Sequence, residues 1–348
     1  MDIYNNPYRA DGTDFPGLDD IPWPSTNGAR PCDLLARCPK SGVTPLKQAP
    51  DLASRCHVGE VWIKDERTRM GLGSFKALGA AYVIACDAQS EPLAGVTYVT
   101  ASAGNHGLSV AAGAKAFGAR SVVYIADTVP EQFADRLREQ GAEVRRQGGV
   151  YEDSMAAAAQ AATQENLRLL SDSSWPGYTQ RPHVLMEGYL ALMAEVFDQL
   201  SQPPTHLFLQ AGVGGLAGAA AAAARAQWGQ KMRIVTVEPE VALALMGSLK
   251  AGEVRASPGP ESIMGRLDCK LPSLIALRGL ARDCDHFVAL PEAQAQAGAD
   301  LAAEADFAST PSGAAGLAAL LASTPHRTAL GLNQQSRVLT ILSEAPAA

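Results

Sequence analysis

"GLGSFKALGAAYVIA", Gly71 to Ala85, decides how this chain reads. Small residues run into an apolar, helix-forming stretch, and Lys76 stands at the junction between Phe75 and Ala77. A lysine on the outer face of a helix is ordinary, because its stem lies along the surface and its ammonium stays in water. One at the helix entrance, hemmed in by Phe75, Leu78 and glycines on both sides, sits where an amine is recessed and chemically available.

Short β-branched runs alternate with alanine-rich helical stretches on both sides of this segment. "EVWIK" (60–64) reads as a strand before the Lys76 helix; "GVTYVTA" (95–101), "SVVYIA" (121–126), "EVRRQ" (143–147) and "LRLLSD" (167–172) read as further strands. Helices are expected between them at 106–118, 131–141 and 151–165. After "SSWPGYTQRP" come a helix at 183–199, the strand "THLFLQA" (205–211), an alanine helix at 216–227 and the strand "RIVTVEP" (233–239). The segment 251–275 reads as loop-rich, followed by a helix near 293–306, the turn "STPSG" and a last strand "RVLTILSE" (337–344). This alternation predicts parallel strands joined by helical crossovers, an α/β layer fold. The run 93–173 is compact enough to be a small domain of its own, with 1–92 and 174–348 forming the larger one.

Composition narrows the function. At 348 residues the chain suits more than one folding unit. A net charge of −7 offers nothing to phosphate backbones or anionic membranes, so neither nucleic acid nor membrane is an expected partner. The N-terminal "MDIYNNPYRADGTDFPG" has no basic region followed by an apolar core and reads as an extended arm. The six cysteines form no CxxC pair and the six histidines no HxH or HxxxH, which points to free thiols, a cytoplasmic setting and no metal site.

Three loops carry chemistry. "TASAGNHG" (100–107) leads from strand to helix and places Ser102, Ala103, Gly104, Asn105 and His106 at the helix N-terminus. Free N–H groups and the helix dipole there suit a carboxylate, although by itself the loop also reads as an ordinary helix cap. "QAGVGGLAG" (210–218) lets the backbone of Gly212, Val213, Gly214, Gly215 and Leu216 wrap a phosphate. It lacks the Lys-Ser/Thr of a P-loop and the GxGxxG spacing of a dinucleotide fold, and alone it could be a tight strand–helix turn. Ser343, in "VLTILSEA", stands at the C-terminal edge of a strand, where open parallel sheets bind ligands, and taken alone is a surface serine. A recessed lysine, a carboxylate loop, a phosphate cup and a neutral hydroxyl together fit pyridoxal phosphate held as an imine on Lys76.

At this point the chain resembles the type II pyridoxal-phosphate enzymes, and within them the diaminopropionate ammonia-lyases. "KDERTRMGLGSFKALGAAY" (64–82), "SDSSWPGY" (171–178), "VLMEGYLALMAE" (184–195), "ESIMGRLDCKLPS" (261–273) and "SGAAGLAAL" (312–320) carry the likeness, which runs from about Thr44 to Glu344. The resemblance implies two three-layer α/β/α domains with mostly parallel sheets, and a homodimer. It implies Lys76 as the Schiff-base lysine with Phe75 beside the cofactor and Asn105 on the ring's phenolic oxygen. Residues 102–106 would hold the substrate carboxylate, 212–216 the phosphate, and Ser343 would face the pyridine nitrogen. Asp172 would share the catalytic work with Lys76.

The expected activity is α,β-elimination from a small amino acid with a β-leaving group, releasing ammonia and a 2-oxo acid. 2,3-Diaminopropionate leads, ahead of serine, threonine and 3-hydroxyaspartate; a β-replacement synthase and a non-catalytic cofactor-binding relative are the alternatives. Two departures touch the substrate's surroundings. Ala103 stands where the ammonia-lyases have an aspartate tied to the D-isomer, which points to an L-preference, and Pro311 stands where they have a glutamate. The family's C-terminal extension is also expected to be missing, with four residues following Glu344.

Overall fold

In the computed structural model, which describes residues 1–346, the alternating pattern builds two sheets. The strands are β1 (Asp2–Asn5), β2 (Leu46–Gln48), β3 (Glu60–Asp65), β4 (Thr97–Ala101), β5 (Arg120–Ile125) and β6 (Glu143–Arg146). They continue with β7 (Arg168–Leu169), β8 (His206–Gln210), β9 (Arg233–Pro239), β10 (His286–Leu290) and β11 (Arg337–Leu342). Seven of them order as β1-β10-β9-β8-β11-β3-β2, and four as β6-β5-β4-β7. Pairing is parallel throughout except at the two edges of the larger sheet, where β1 and β2 run antiparallel to their neighbours. All strands of the smaller sheet fall between residues 97 and 169, and all of the larger outside that interval. Residues 347–348, which end the larger unit as read from the sequence, lie outside the described residues.

Each sheet is covered on both faces, as parallel sheets require. On one side of the larger sheet, helices Lys76–Ser90, Gln180–Gln199, Gly215–Trp228 and Leu274–Asp283 bury Leu78, Tyr82, Leu185, Ala220 and Leu277. On the other, helices Pro50–Cys56, Glu292–Glu304 and Ala315–Ala322 bury Leu52, Ala299 and Leu317. The smaller sheet has Leu108, Ala134 and Leu137 on one face and Ala158 and Ala161 on the other.

The structure departs from the sequence reading in a few places. "LRLLSD" pairs only at Arg168–Leu169, because β7 is an edge strand against β4. Past the Leu170 N–H to Val99 carbonyl bond (2.9 Å), the Ser171 N–H turns to the Tyr178 hydroxyl (3.1 Å) and the chain leaves the sheet. The extended N-terminal arm is ordered: β1 adds to the edge of β10, a strand whose four-residue apolar run Phe287–Leu290 has no period to tell it from buried helix. The helix Leu274–Asp283 closes the loop-rich segment, and Ala315–Ala322 follows "STPSG".

Two features set the position of the lysine segment. Helices Lys76–Ser90 and Gln180–Gln199 cross almost backbone to backbone: a Cβ on Gly188 would lie 2.7 Å from the Leu78 carbonyl, and one on Gly79 2.7 Å from the Tyr189 ring. A buried ionic cluster braces the turn before the lysine. The Arg69 guanidinium donates to Glu66 (2.6 and 2.7 Å), to Glu195 (2.7 and 2.8 Å) and to the Gly42 carbonyl (2.8 Å), while the Lys64 ammonium reaches Glu195 (2.6 Å) and Gln199 (2.9 Å).

Removing one partner of such a cluster leaves a charge buried without compensation. Arg69→Ala is expected to lose about 3–5 kcal/mol in urea unfolding, while Arg138→Ala, whose partners Glu131 and Asp135 are on the surface, leaves the midpoint in place. Stability also carries a pH signature from Glu238, whose carboxylate caps helix Ala244–Ala251 through the Leu245 and Met246 N–H groups (2.7 and 2.8 Å). Burial, only partly offset by those bonds, raises its pKa to about 8. The folded chain therefore keeps this proton where the unfolded chain has lost it, so stability falls as pH rises from the ordinary carboxylate range to about 8. Glu238→Gln should remove that slope from stability measured across the interval.

Candidate active site

Lys76 is the first residue of its helix, and the Phe75 N–H donates to the Ser343 carbonyl (3.2 Å), which ties the lysine turn to the end of β11. The ammonium pairs with Asp172, on the loop that leaves the small sheet after β7; the two side chains are 21% and 14% exposed. Burial works against the charge on Lys76, but the Asp172 carboxylate outweighs it and holds the ammonium above its ordinary range. Burial likewise opposes the charge on Asp172, and the Lys76 ammonium pulls that carboxyl well below its usual range. An amine held as an ion pair stores its proton until a change in the site releases it.

Around this pair stand aromatic and thiol groups. The Phe75 and Tyr189 rings meet edge-on at 4.9 Å, and the Lys76 nitrogen lies 5.3 Å from the Phe75 ring centre. The Tyr189 hydroxyl is buried with no protein partner among the described residues. The Cys269 thiol is pushed up to about 12 by burial, with Asp172 adding to the shift, so it stays protonated. His106 donates from Nε2 to the Leu170 carbonyl (2.8 Å), and burial holds it neutral.

The loop Ser102–His106 runs from β4 into helix Asn105–Ala116, with the Gly104 N–H turned back to the Ser102 hydroxyl (3.2 Å). The glycine loop runs from β8 into helix Gly215–Trp228. Gly214 has φ +98°, a left-handed conformation that a Cβ would strain, and that Cβ would lie 2.9 Å from Ala276. The N–H groups of Gly214, Gly215 and Leu216 meet no acceptor among the described residues and open at the helix N-terminus.

Phe75, Lys76, residues 102–106, Asp172, residues 212–216 and Ser343, all singled out from sequence, line one cavity of about 390 Å³. It lies at the C-terminal ends of the parallel strands β4, β8 and β11, the edge at which such sheets bind ligands. Sequence reasoning missed several groups at this cavity. Glu344 accepts from the Asn105 side-chain amide and from the Thr310 hydroxyl, and burial raises its carboxyl against the opposing pull of both. One Asn105 N–H is thereby spent, leaving its second N–H and its carbonyl for a ligand. The Arg266 guanidinium packs over the 102–106 loop, 2.9 Å from where a Cβ on Gly104 would sit, and Tyr151, Gln210, Glu261 and Asp268 are among the other residues of the lining. Arg266 lay inside a motif that carried the resemblance, and adjacency to Ser343 was the only signal for Glu344.

A recessed lysine, a cup of unpaired amides at one helix N-terminus and a half-free asparagine between them fit pyridoxal phosphate in shape and in donor set. The defined class is a cofactor site built on a lysine amine. A model of the family described as pyridoxal-phosphate dependent enzyme matches residues 38–344, and the chain belongs to that family. The chain is 31% identical to diaminopropionate ammonia-lyase of Salmonella typhimurium over 322 residues, covering 82% of this chain and 79% of that protein. It also superposes on the crystal structure of diaminopropionate ammonia-lyase from Escherichia coli in complex with an aminoacrylate–PLP azomethine reaction intermediate. There the TM-score is 0.88 at 28% identity, over 99% of this chain and 93% of that one. Threonine deaminase isoform 2 of Solanum lycopersicum shares the fold at a TM-score of 0.79 and 21% identity, over 94% and 93% of the two chains. Among the described residues no helix is long and apolar enough to cross a membrane, and no group of His, Cys, Asp and Glu is placed to hold a metal.

Two outcomes test this geometry. Lys76→Ala protein should not develop the visible absorption that pyridoxal phosphate acquires on condensing with an amine. In Asp172→Asn the burial of Lys76 is no longer opposed by the carboxylate, so its pKa falls. The free amine then appears at lower pH, and the pH profile for cofactor capture by the apoprotein, followed by visible absorbance, should move in the acid direction.

Proposed function

We propose that the protein catalyses α,β-elimination from a small L-amino acid with a β-amino leaving group, 2,3-diaminopropionate foremost, releasing pyruvate and ammonia. The observation that carries this reading is the Lys76–Asp172 pair, set between an amide-lined carboxylate loop and a phosphate cup in one cavity. Its likeness over most of its length to proteins described as diaminopropionate ammonia-lyases supports the choice of substrate.

Pyridoxal phosphate, when bound, supplies an aldehyde that condenses with amines and a ring that draws electrons from Cα. The N–H groups of 212–216 would hold its phosphate, Phe75 would flank its ring, Asn105 would donate to its phenolic oxygen and Ser343 would face its pyridine nitrogen. A hydroxyl at that position, unlike a carboxylate, does not keep the ring nitrogen protonated, which favours expulsion of a β-group over chemistry that needs a long-lived carbanion. The loop Ser102–His106 orients the substrate carboxylate through N–H groups at a helix start. The Lys76 amine accepts the α-proton, and Asp172 controls when that amine is free and attracts a β-ammonium. Ala103 brings only a methyl to the loop, so no carboxylate there can serve the opposite face of Cα, and the L-isomer is preferred. A homodimer working in the cytoplasm belongs to this reading, and light scattering on the purified protein tests its first half.

Release of 2-oxo acid from L-2,3-diaminopropionate should exceed that from the D-isomer, serine, threonine and 3-hydroxyaspartate, and should vanish in Lys76→Ala. Activity on the D-isomer equal to that on the L-isomer would sink the assignment of Ala103. Pyruvate that appears without any added nucleophile separates elimination from β-replacement.

A further inference from the structure

A second cavity, also about 390 Å³, opens beside the lysine pocket and shares Asn105, Arg266 and Glu344 with it. The lysine turn, with Arg67, and helix Glu131–Glu139, with Arg136, supply other walls. These three arginines are not equivalent. Arg67 is already engaged, with Nε and Nη2 on the Asp65 carboxylate (both 2.8 Å) and Nη1 on the Ala308 carbonyl (3.0 Å). The Arg136 side chain makes no hydrogen bond or ion pair among the described residues. Arg266 comes no closer to a carboxylate than 3.9 Å, at Glu344, and otherwise rests near the Phe133 ring (5.8 Å).

The charges around the cavity do not cancel. Arg67 and Asp65 neutralise each other, and the Glu344 carboxyl, 3.9 Å from Arg266, offsets at most one of the two remaining guanidiniums, so an excess of positive charge is left. Asp172, in the adjoining pocket, is tied to Lys76. Two guanidinium groups from different elements therefore face one space with their hydrogen-bond donors unspent, and that space adjoins the lysine pocket at Asn105, Arg266 and Glu344. With the α-amine committed to the cofactor and the α-carboxylate to the 102–106 loop in the reading above, the β-substituent is the part of the substrate left to reach it. A planar fork of N–H donors matches a carboxylate better than any neutral group.

We infer that the preferred substrate carries an acidic substituent on its β-nitrogen, so that the leaving group is an amine bearing a carboxylate, seated between Arg136 and Arg266. This rests on the elimination reading of the lysine pocket and deepens it. The step balances without a redox partner. Lys76 takes the α-proton, the Cα–H electron pair becomes the Cα–Cβ double bond, and the Cβ–N bond breaks with its pair left on nitrogen. That nitrogen gains a proton and departs as the free amine, and one water converts the remainder to pyruvate and ammonium.

The test compares L-2,3-diaminopropionate with its Nβ-carboxymethyl derivative, whose leaving group is glycine, on the holoenzyme. Pyruvate and glycine release are measured, and calorimetry gives the Kd of the derivative. The derivative should show the higher kcat/KM, and Arg136→Met should lower that value by about tenfold or more, the usual cost of losing a charged hydrogen-bond partner. Turnover of the unsubstituted compound should be the same in Arg136→Met as in wild type. A wild type that prefers the unsubstituted compound, or an Arg136→Met variant that slows both alike, overturns the inference while leaving elimination intact. Turnover of the derivative alone upholds the inference and corrects the substrate proposed above. Where neither compound releases pyruvate, elimination from diaminopropionates fails, and a Kd for the derivative that is equal in wild type and Arg136→Met overturns the inference as well.

Discussion

The position of Lys76 depends on the buried contact between Arg69, Glu66 and Glu195. Arg69 is 1% exposed and Glu66 fully buried, and the guanidinium is shared between the turn that leads to Lys76 and the helix that carries Tyr189. Burying such groups is costly unless every donor and acceptor is satisfied. Here the surrounding donors and acceptors are well used: Thr44 and Gln199 join from either side, and Lys64 balances the second carboxylate. The result is a turn fixed at its base, from which the backbone reaches Phe75 and is caught again by the Ser343 carbonyl. Apolar packing alone would not hold a glycine-rich turn so narrowly, because glycines leave it little side chain to pack.

With the turn fixed, the site follows from where strands end. The C-terminal ends of β4, β8 and β11 meet at one edge, so the 102–106 loop, the glycine loop and Ser343 converge although they are far apart in the chain. The close crossing at Gly79 and Gly188 brings Tyr189 against Phe75 and closes the back of the cavity. Electrostatics then divides the work. Asp172 keeps Lys76 charged and soluble in a buried place, while Cys269 and His106 stay neutral beside it. Glu344 links the two sheets through Asn105, 239 residues away in sequence, so the group that would touch the cofactor ring is held from the opposite unit.

Much of this was legible in the chain. Alternating strand and helix patterns give a parallel α/β fold because a strand's period differs from a helix's and each crossover needs about a helix's length. Elements near the edges of that pattern were not legible. β7 shrank to two residues because only one neighbour pairs with it, and β10 was missed because four apolar residues fit a buried strand or a buried helix equally.

By itself the sequence singled out Lys76, the 102–106 loop, the glycine loop 212–216 and Ser343 after the last strand. Each is a local junction whose chemistry needs only a residue type and its immediate neighbours. Only the tertiary structure decided that Glu344 grips Asn105, that Arg266 lies over Gly104, and that Arg136 and Arg266 open onto one cavity. Those roles arise from side chains brought together across long loops. Residue type alone cannot distinguish an arginine spent on Asp65 from one left free beside a pocket.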